Sequence, residues 1–146
     1  KCWHQLHKYK HLILNRMDND FLVGINDYSF FEKNKEQPHF DYYAVAEVVD
    51  LKDVPVNMTT KSLPASQYIV FSLKGHNEES MQDIIEYIYN HWFLETTLLF
   101  NQNCMYDFVK YGEQSDEQGM SLIEYWIPIL DSCLDNDTIK FGDNNE

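Results

Sequence analysis

Cysteine, basic charge and long apolar runs are all scarce in this chain of 146 residues, and each shortage removes a class of protein. Cys2, Cys104 and Cys133 are odd in number and show no C-x-x-C spacing, which argues against a disulfide scaffold or a zinc ribbon and makes a reducing cytoplasm the default. Lys and Arg number 11 against 24 Asp and Glu, a formal net charge of −13. Such a segment repels phosphate backbones and anionic membranes, and its field favours cationic partners. No apolar run approaches the ~20 residues that a membrane span needs. No signal peptide is visible, so the sequons Asn57-Met58-Thr59 and Asn136-Asp137-Thr138 read as chance matches. A nucleophile elbow, a metal-ligand set and a phosphate-cradling glycine loop are missing too. No metal and no cofactor is therefore expected.

Aromatic residues are plentiful instead. Ten Tyr, 9 Phe and 3 Trp make 15% of the chain, more than a core of this size needs, so some rings should line a cleft. An apolar content of 44% fits one globular domain.

The apolar spacing predicts a helix from Cys2 to about Asn15, with Trp3, Leu6 and Ile13 on its buried stripe. His4, His7 and His11 share another side of it, but Lys8 and Lys10 lie between them and no further ligand completes a set, so they read as a solvated face. Strands are expected over 20–28 and 39–50, the second with Phe40, Tyr42, Ala44, Ala46 and Val48 on one face and Glu47 on the other. Small Ala44 and Ala46 leave room beside Tyr42. An irregular connection with Pro55 and Pro64 precedes a strand over 67–75. Asn77, Glu78 and Glu79 suit the start of a helix carrying Met81, Ile84, Ile85, Ile88 and Trp92 to about Phe93. A loop from Glu95 to Asn103 and two strands, 105–111 and 122–130, complete the pattern.

The last strand, Leu122-Ile123-Glu124-Tyr125-Trp126-Ile127-Pro128-Ile129, holds one residue out of place. Alternation puts Leu122, Glu124 and Trp126 on one face and Ile123, Tyr125 and Ile127 on the other. Glu124 faces either water or an aromatic pocket. In a pocket the carboxylate needs a compensating charge, and a lipophilic cation held between it and aromatic faces would supply one.

One order of elements occurs twice. Strand, helix, strand, strand runs over 67–130, and helix, strand, strand over 2–50, the first copy lacking only an opening strand that would lie before Lys1. The expected architecture is α+β: a doubled strand-helix-strand-strand unit forming a mostly antiparallel sheet, with two helices on one face and a ligand cleft between them. Residues 1–130 make the domain, and the polar, acidic stretch 131–146 reads as a tail.

Four motifs follow in order: Pro64-Ala65-Ser66-Gln67-Tyr68-Ile69-Val70-Phe71 through Gly75, Ile88-Tyr89-Asn90-His91-Trp92, Asp107-Phe108-Val109-Lys110-Tyr111, and Glu124-Tyr125-Trp126-Ile127-Pro128-Ile129. With Trp3-His4-Gln5-Leu6 near the start, they resemble GyrI-like effector-binding domains, the multidrug-sensing type found in AraC-family and MerR-family bacterial regulators and in stand-alone proteins. The resemblance runs from Trp3 to Ile129. It implies a cleft for hydrophobic, often cationic, small molecules, with Glu124 as its negative charge, Trp126 beside it, and Tyr42, Tyr68, Tyr89, Trp92 and Phe108 as candidate walls. For Trp92, on the helix stripe, core packing is the competing role. DNA would be reached only through a separate domain. The alternatives are a small-molecule hydrolase using Glu124 as general acid or base, and a haem binder, for which no histidine lies in the strand motifs.

Overall fold

A computed structural model describes residues 1–29, 40–76 and 81–131. In chain order the elements are α1 (Cys2–Tyr9), β1 (Phe21–Asp27), β2 (Asp41–Val45), β3 (Gln67–Gly75), α2 (Gln82–Asn90), β4 (Leu98–Phe100), β5 (Tyr106–Ser115) and β6 (Ser121–Asp131). The strands form one six-stranded sheet in the order β2-β1-β5-β6-β3, with β4 paired to β6. Every pairing between these strands is antiparallel.

This is the expected α+β arrangement, and the doubling is visible in the pairing. β1 and β5, the equivalent strands of the two units, meet at the centre, while β2 and β6 flank them. β6 has β3 on its other side, whereas the outer side of β2 carries no strand among the described residues. Both helices cover one face. α1 docks through Trp3, whose ring meets Tyr111 edge-on at 5.4 Å. α2 docks through buried Ile88 and half-buried Tyr89.

The alternation in β6 decides where the core sits. Ile123, Tyr125, Ile127 and Ile129 are at most 2% exposed and pack under α2 with Ile69, Val109 and Leu98. Each such side chain removed from water contributes on the order of 1.5–3 kcal/mol, so the helix side supplies most of the fold's cohesion. A smaller cluster of Val23, Ile25, Cys104, Tyr106 and Phe108 occupies the helix-free face. There the connection 46–66 closes over the sheet. It is pinned where the Tyr106 hydroxyl donates to the Pro64 carbonyl at 2.7 Å and where Lys61 pairs with Asp27 at 2.6 Å.

Several boundaries differ from the sequence expectation. α1 ends at Tyr9 and passes into a 3-10 turn over Lys10–Leu12, and α2 likewise gives way to a 3-10 turn over Trp92–Glu95. The stretch 95–103, expected as loop, contains β4, which takes over β5's side of β6 beyond buried Pro128. β5 continues through the polar run to Ser115 with a register shift after Tyr111. Its turn is tight because Asp116 Oδ1 accepts the N–H groups of Gln118 and Met120 and because Gly119 adopts φ 78°, a conformation that costs glycine little. The strand expected over 39–50 is regular only over 41–45, followed by a single bridge between Arg16 and Val48. The helix start at Asn77, Glu78 and Glu79, and the acidic tail, lie outside the described residues.

Candidate functional site

The two faces of the sheet divide the sequence-predicted site residues. Phe108 on β5, Trp126 on β6 and Tyr68 on β3 all project from the helix-free face. Cross-strand register brings them together: Phe108 lies opposite Trp126, with ring centroids 5.5 Å apart and planes 17° from parallel. Tyr68 meets both rings edge-on, each at 5.5 Å. Its hydroxyl is bonded to that of Tyr106, and burial pushes the Tyr68 phenol up from its ordinary value despite that bond.

These rings form one end of a cavity of about 1380 Å³. It extends along α1 to Ile13, round the outer edge of β2 and beneath the connection 46–66; no α2 residue lines it, so it is not the cleft expected between the two helices. Ala44 and Ala46 line it, but Tyr42, beside which they were expected to leave room, does not. The volume exceeds the ~300–1,000 Å³ of ordinary small-molecule pockets, so a drug-sized ligand fits with space to spare.

Glu124 stands on the same face, half-buried beside this wall, and its Oε1 accepts the Trp126 indole N–H at 3.0 Å. The carboxylate thus fixes the tilt of the ring that lines the cavity. Lys110, opposite Glu124 in register, reaches over Trp126 and towards Glu47. Glu47, expected on the opposite strand face to Tyr42, lies past the end of the regular strand and is exposed.

Tyr42, Tyr89 and Trp92 lie on the helix side, away from this group. The Tyr42 hydroxyl accepts the Trp3 indole N–H at 2.8 Å, and burial raises its pKa to about 12. Gly24 makes that contact possible, since a Cβ there would overlap the Tyr42 hydroxyl and come within 3.2 Å of Trp3. Trp92 packs edge-on against Phe71 at 5.1 Å and Phe93 at 5.2 Å, the core role open to it from the sequence. Tyr89 donates to Asp107.

Asp107 is the buried acid that sequence reasoning missed. It is 0% exposed. Its Oδ1 accepts the Asn26 amide at 2.7 Å, while Oδ2 accepts the hydroxyls of Tyr125 at 2.8 Å, Tyr89 at 2.9 Å and Tyr28 at 3.2 Å. Burial drives the carboxyl's pKa up, and the four donors only partly offset this. Alternation puts Asp107 on the same strand parity as Val109 and Tyr111, and the cross-strand register shows this to be the helix-facing side. No group of three or more potential metal ligands occurs among the described residues, and His4, His7 and His11 are exposed.

An aromatic-walled cavity under a crossing connection is suited to hold a small molecule and to orient it by ring stacking. A family model described as Cass2, integron-associated effector binding protein, matches residues 1–129. The chain belongs to the Cass2 family. Cass2 is a GyrI-like effector-binding family, so the resemblance carried by the strand motifs holds across the whole sheet. A Cass2 chain is expected to bind a small-molecule effector. A search of the curated proteins finds no match. No helix among the described residues is long and apolar enough to cross a membrane.

Proposed function

We propose that this chain binds hydrophobic, positively charged small molecules in the cavity of the helix-free face. It would serve as the ligand-sensing part of an AraC-type bacterial transcriptional regulator in the cytoplasm, with DNA contacted by a separate domain. Residues 1–130 would form the sensing domain and 131–146 an acidic tail. The observation that carries the reading is the convergence of Tyr68, Phe108 and Trp126 on one cavity wall with the Glu124 carboxylate bonded to the indole. Aromatic faces attract cations, and a carboxylate at the ring's edge adds to that attraction. The net charge of −13 draws cations towards the mouth. In this role Trp126, Phe108 and Tyr68 are the walls and Glu124 the charge-reading group, while Tyr42, Tyr89 and Trp92 hold the helix side together.

The test is a fluorescence-anisotropy titration with the cationic dye rhodamine 6G and the neutral dye Nile red on wild type, Glu124→Gln and Trp126→Leu. Glu124→Gln should weaken rhodamine 6G about tenfold and leave Nile red nearly unchanged, a loss of ~1.4 kcal/mol confined to the charge. Trp126→Leu should weaken both dyes. Equal binding of rhodamine 6G by all three proteins would overturn the reading.

A further inference from the structure

A cation of the protein's own sits over the Trp126 ring. Lys110 projects from β5 on the helix-free face and lines the cavity with Trp126 and Phe108. Its Nζ lies 4.5 Å from the centroid of the Trp126 ring and 3.5 Å from Glu47 Oε1. Its side chain is only 18% exposed, whereas that of Glu47 is 47% exposed, so the ammonium sits inward of its partner. Trp126 is held by Glu124 on one edge and by the stacked Phe108 ring. An ammonium over an indole, with one carboxylate beside the ammonium and another on the indole N–H, is the arrangement that would recognise a lipophilic cation. Lys110 supplies it from within.

We propose that Lys110 is a tethered internal cation, which occupies the charge-reading position of the cavity and must be expelled before an effector's cation can dock. This rests on the reading of the cavity as a site for hydrophobic cations. A flexible four-carbon stem lets the ammonium swing to water while its methylenes stay against the wall. The tether makes the lysine a competitor at high effective concentration, so a cation without extra apolar surface gains nothing by replacing it. Bulky aromatic monocations do gain, because their rings bury area that the lysine stem leaves open. The lysine therefore sets both the affinity and the size threshold of the site.

The experiment is a titration of rhodamine 6G and Nile red into wild type, Lys110→Met and Lys110→Arg, each first checked for folding by thermal melting. Lys110→Met should bind rhodamine 6G about tenfold more tightly than wild type, the worth of one removed competing cation–π contact. Any gain for Nile red should fall short of that, and Lys110→Arg, which keeps the charge, should stay near wild type. If Lys110→Met does not fold, Lys110→Gln takes its place with the same expectations. The inference is overturned if removing the charge leaves rhodamine 6G binding no tighter, or tightens both dyes equally. Equal and measurable binding by wild type and Lys110→Met would sink this inference alone. No binding of rhodamine 6G by either protein would sink the cavity reading with it.

Discussion

Replacing Asp107 by alanine should destabilise the fold by about 3 kcal/mol at acid pH, and by less as the pH rises. The carboxylate is fully buried and accepts from Asn26, Tyr28, Tyr89 and Tyr125. Asn26, Tyr28 and Tyr89 are only half-buried and can turn towards water when the acceptor goes. Tyr125 cannot, being 0% exposed, and its hydroxyl is left with Tyr89 at 3.4 Å. An unsatisfied buried hydroxyl costs ~1–3 kcal/mol, and the space left by the carboxyl adds about 1 kcal/mol. Burial acts in the opposite sense on the ionised form, and it holds the Asp107 pKa above its ordinary value. The folded state therefore binds this proton more tightly than the unfolded chain. The wild-type advantage is complete below the ordinary carboxylate value and diminishes as pH rises through the raised one. Urea unfolding of wild type and Asp107→Ala from about pH 4 to about pH 8 measures the difference, with the m-value as a check on two-state behaviour. An alanine variant as stable as wild type at the acid end, or a wild-type advantage that grows with pH, would refute the reasoning.

Other expectations follow from the same contacts. Gly24→Ala should cost ~1–3 kcal/mol in thermal or urea unfolding, because the new methyl group displaces the Tyr42 hydroxyl and with it the seat of Trp3. Tyr42→Phe, which removes only the acceptor of the Trp3 indole N–H, should cost about 1 kcal/mol and shift Trp3 emission. Glu113 accepts from Lys10 at 2.7 Å and also pairs with Arg16, tying the end of the first helical segment to β5. Burial opposes its charge, but the two cations outweigh that and hold its pKa below the usual carboxylate range. Its stabilisation is therefore present above the ordinary value and lost as pH falls through the lowered one. Glu113→Gln should abolish that part of the acid-side loss in a pH series of unfolding midpoints.

Much of the fold was legible because its determinants are local. Strict alternation in 121–131 and the helical spacing around Ile88 each specify an element and a buried face, and the repeated order supplied the topology. β4 escaped because three residues, Leu98 to Phe100, carry no periodicity, and pairing with β6 alone makes them a strand. The alternation in 122–130 also separated Glu124 and Trp126 from Tyr125 correctly. What it did not tell was which face the helices cover. Register across strands settled that, by placing Trp126 beside Phe108 and Tyr68, and by setting Tyr89 and Trp92 on the opposite side. Asp107 is hidden for a related reason: its four donors come from β1, the residue just past it, α2 and β6. Long-range partners of this kind leave no mark at fixed spacing.

The central claim is that the effector cavity lies on the helix-free face. A co-crystal structure with rhodamine 6G tests it most directly. The dye should lie against Trp126 and Phe108, with the Lys110 ammonium displaced from the indole and Glu124 still bonded to its N–H. Dye bound between α1 and α2, over Tyr89 and Asp107, with Lys110 undisturbed, would contradict the account.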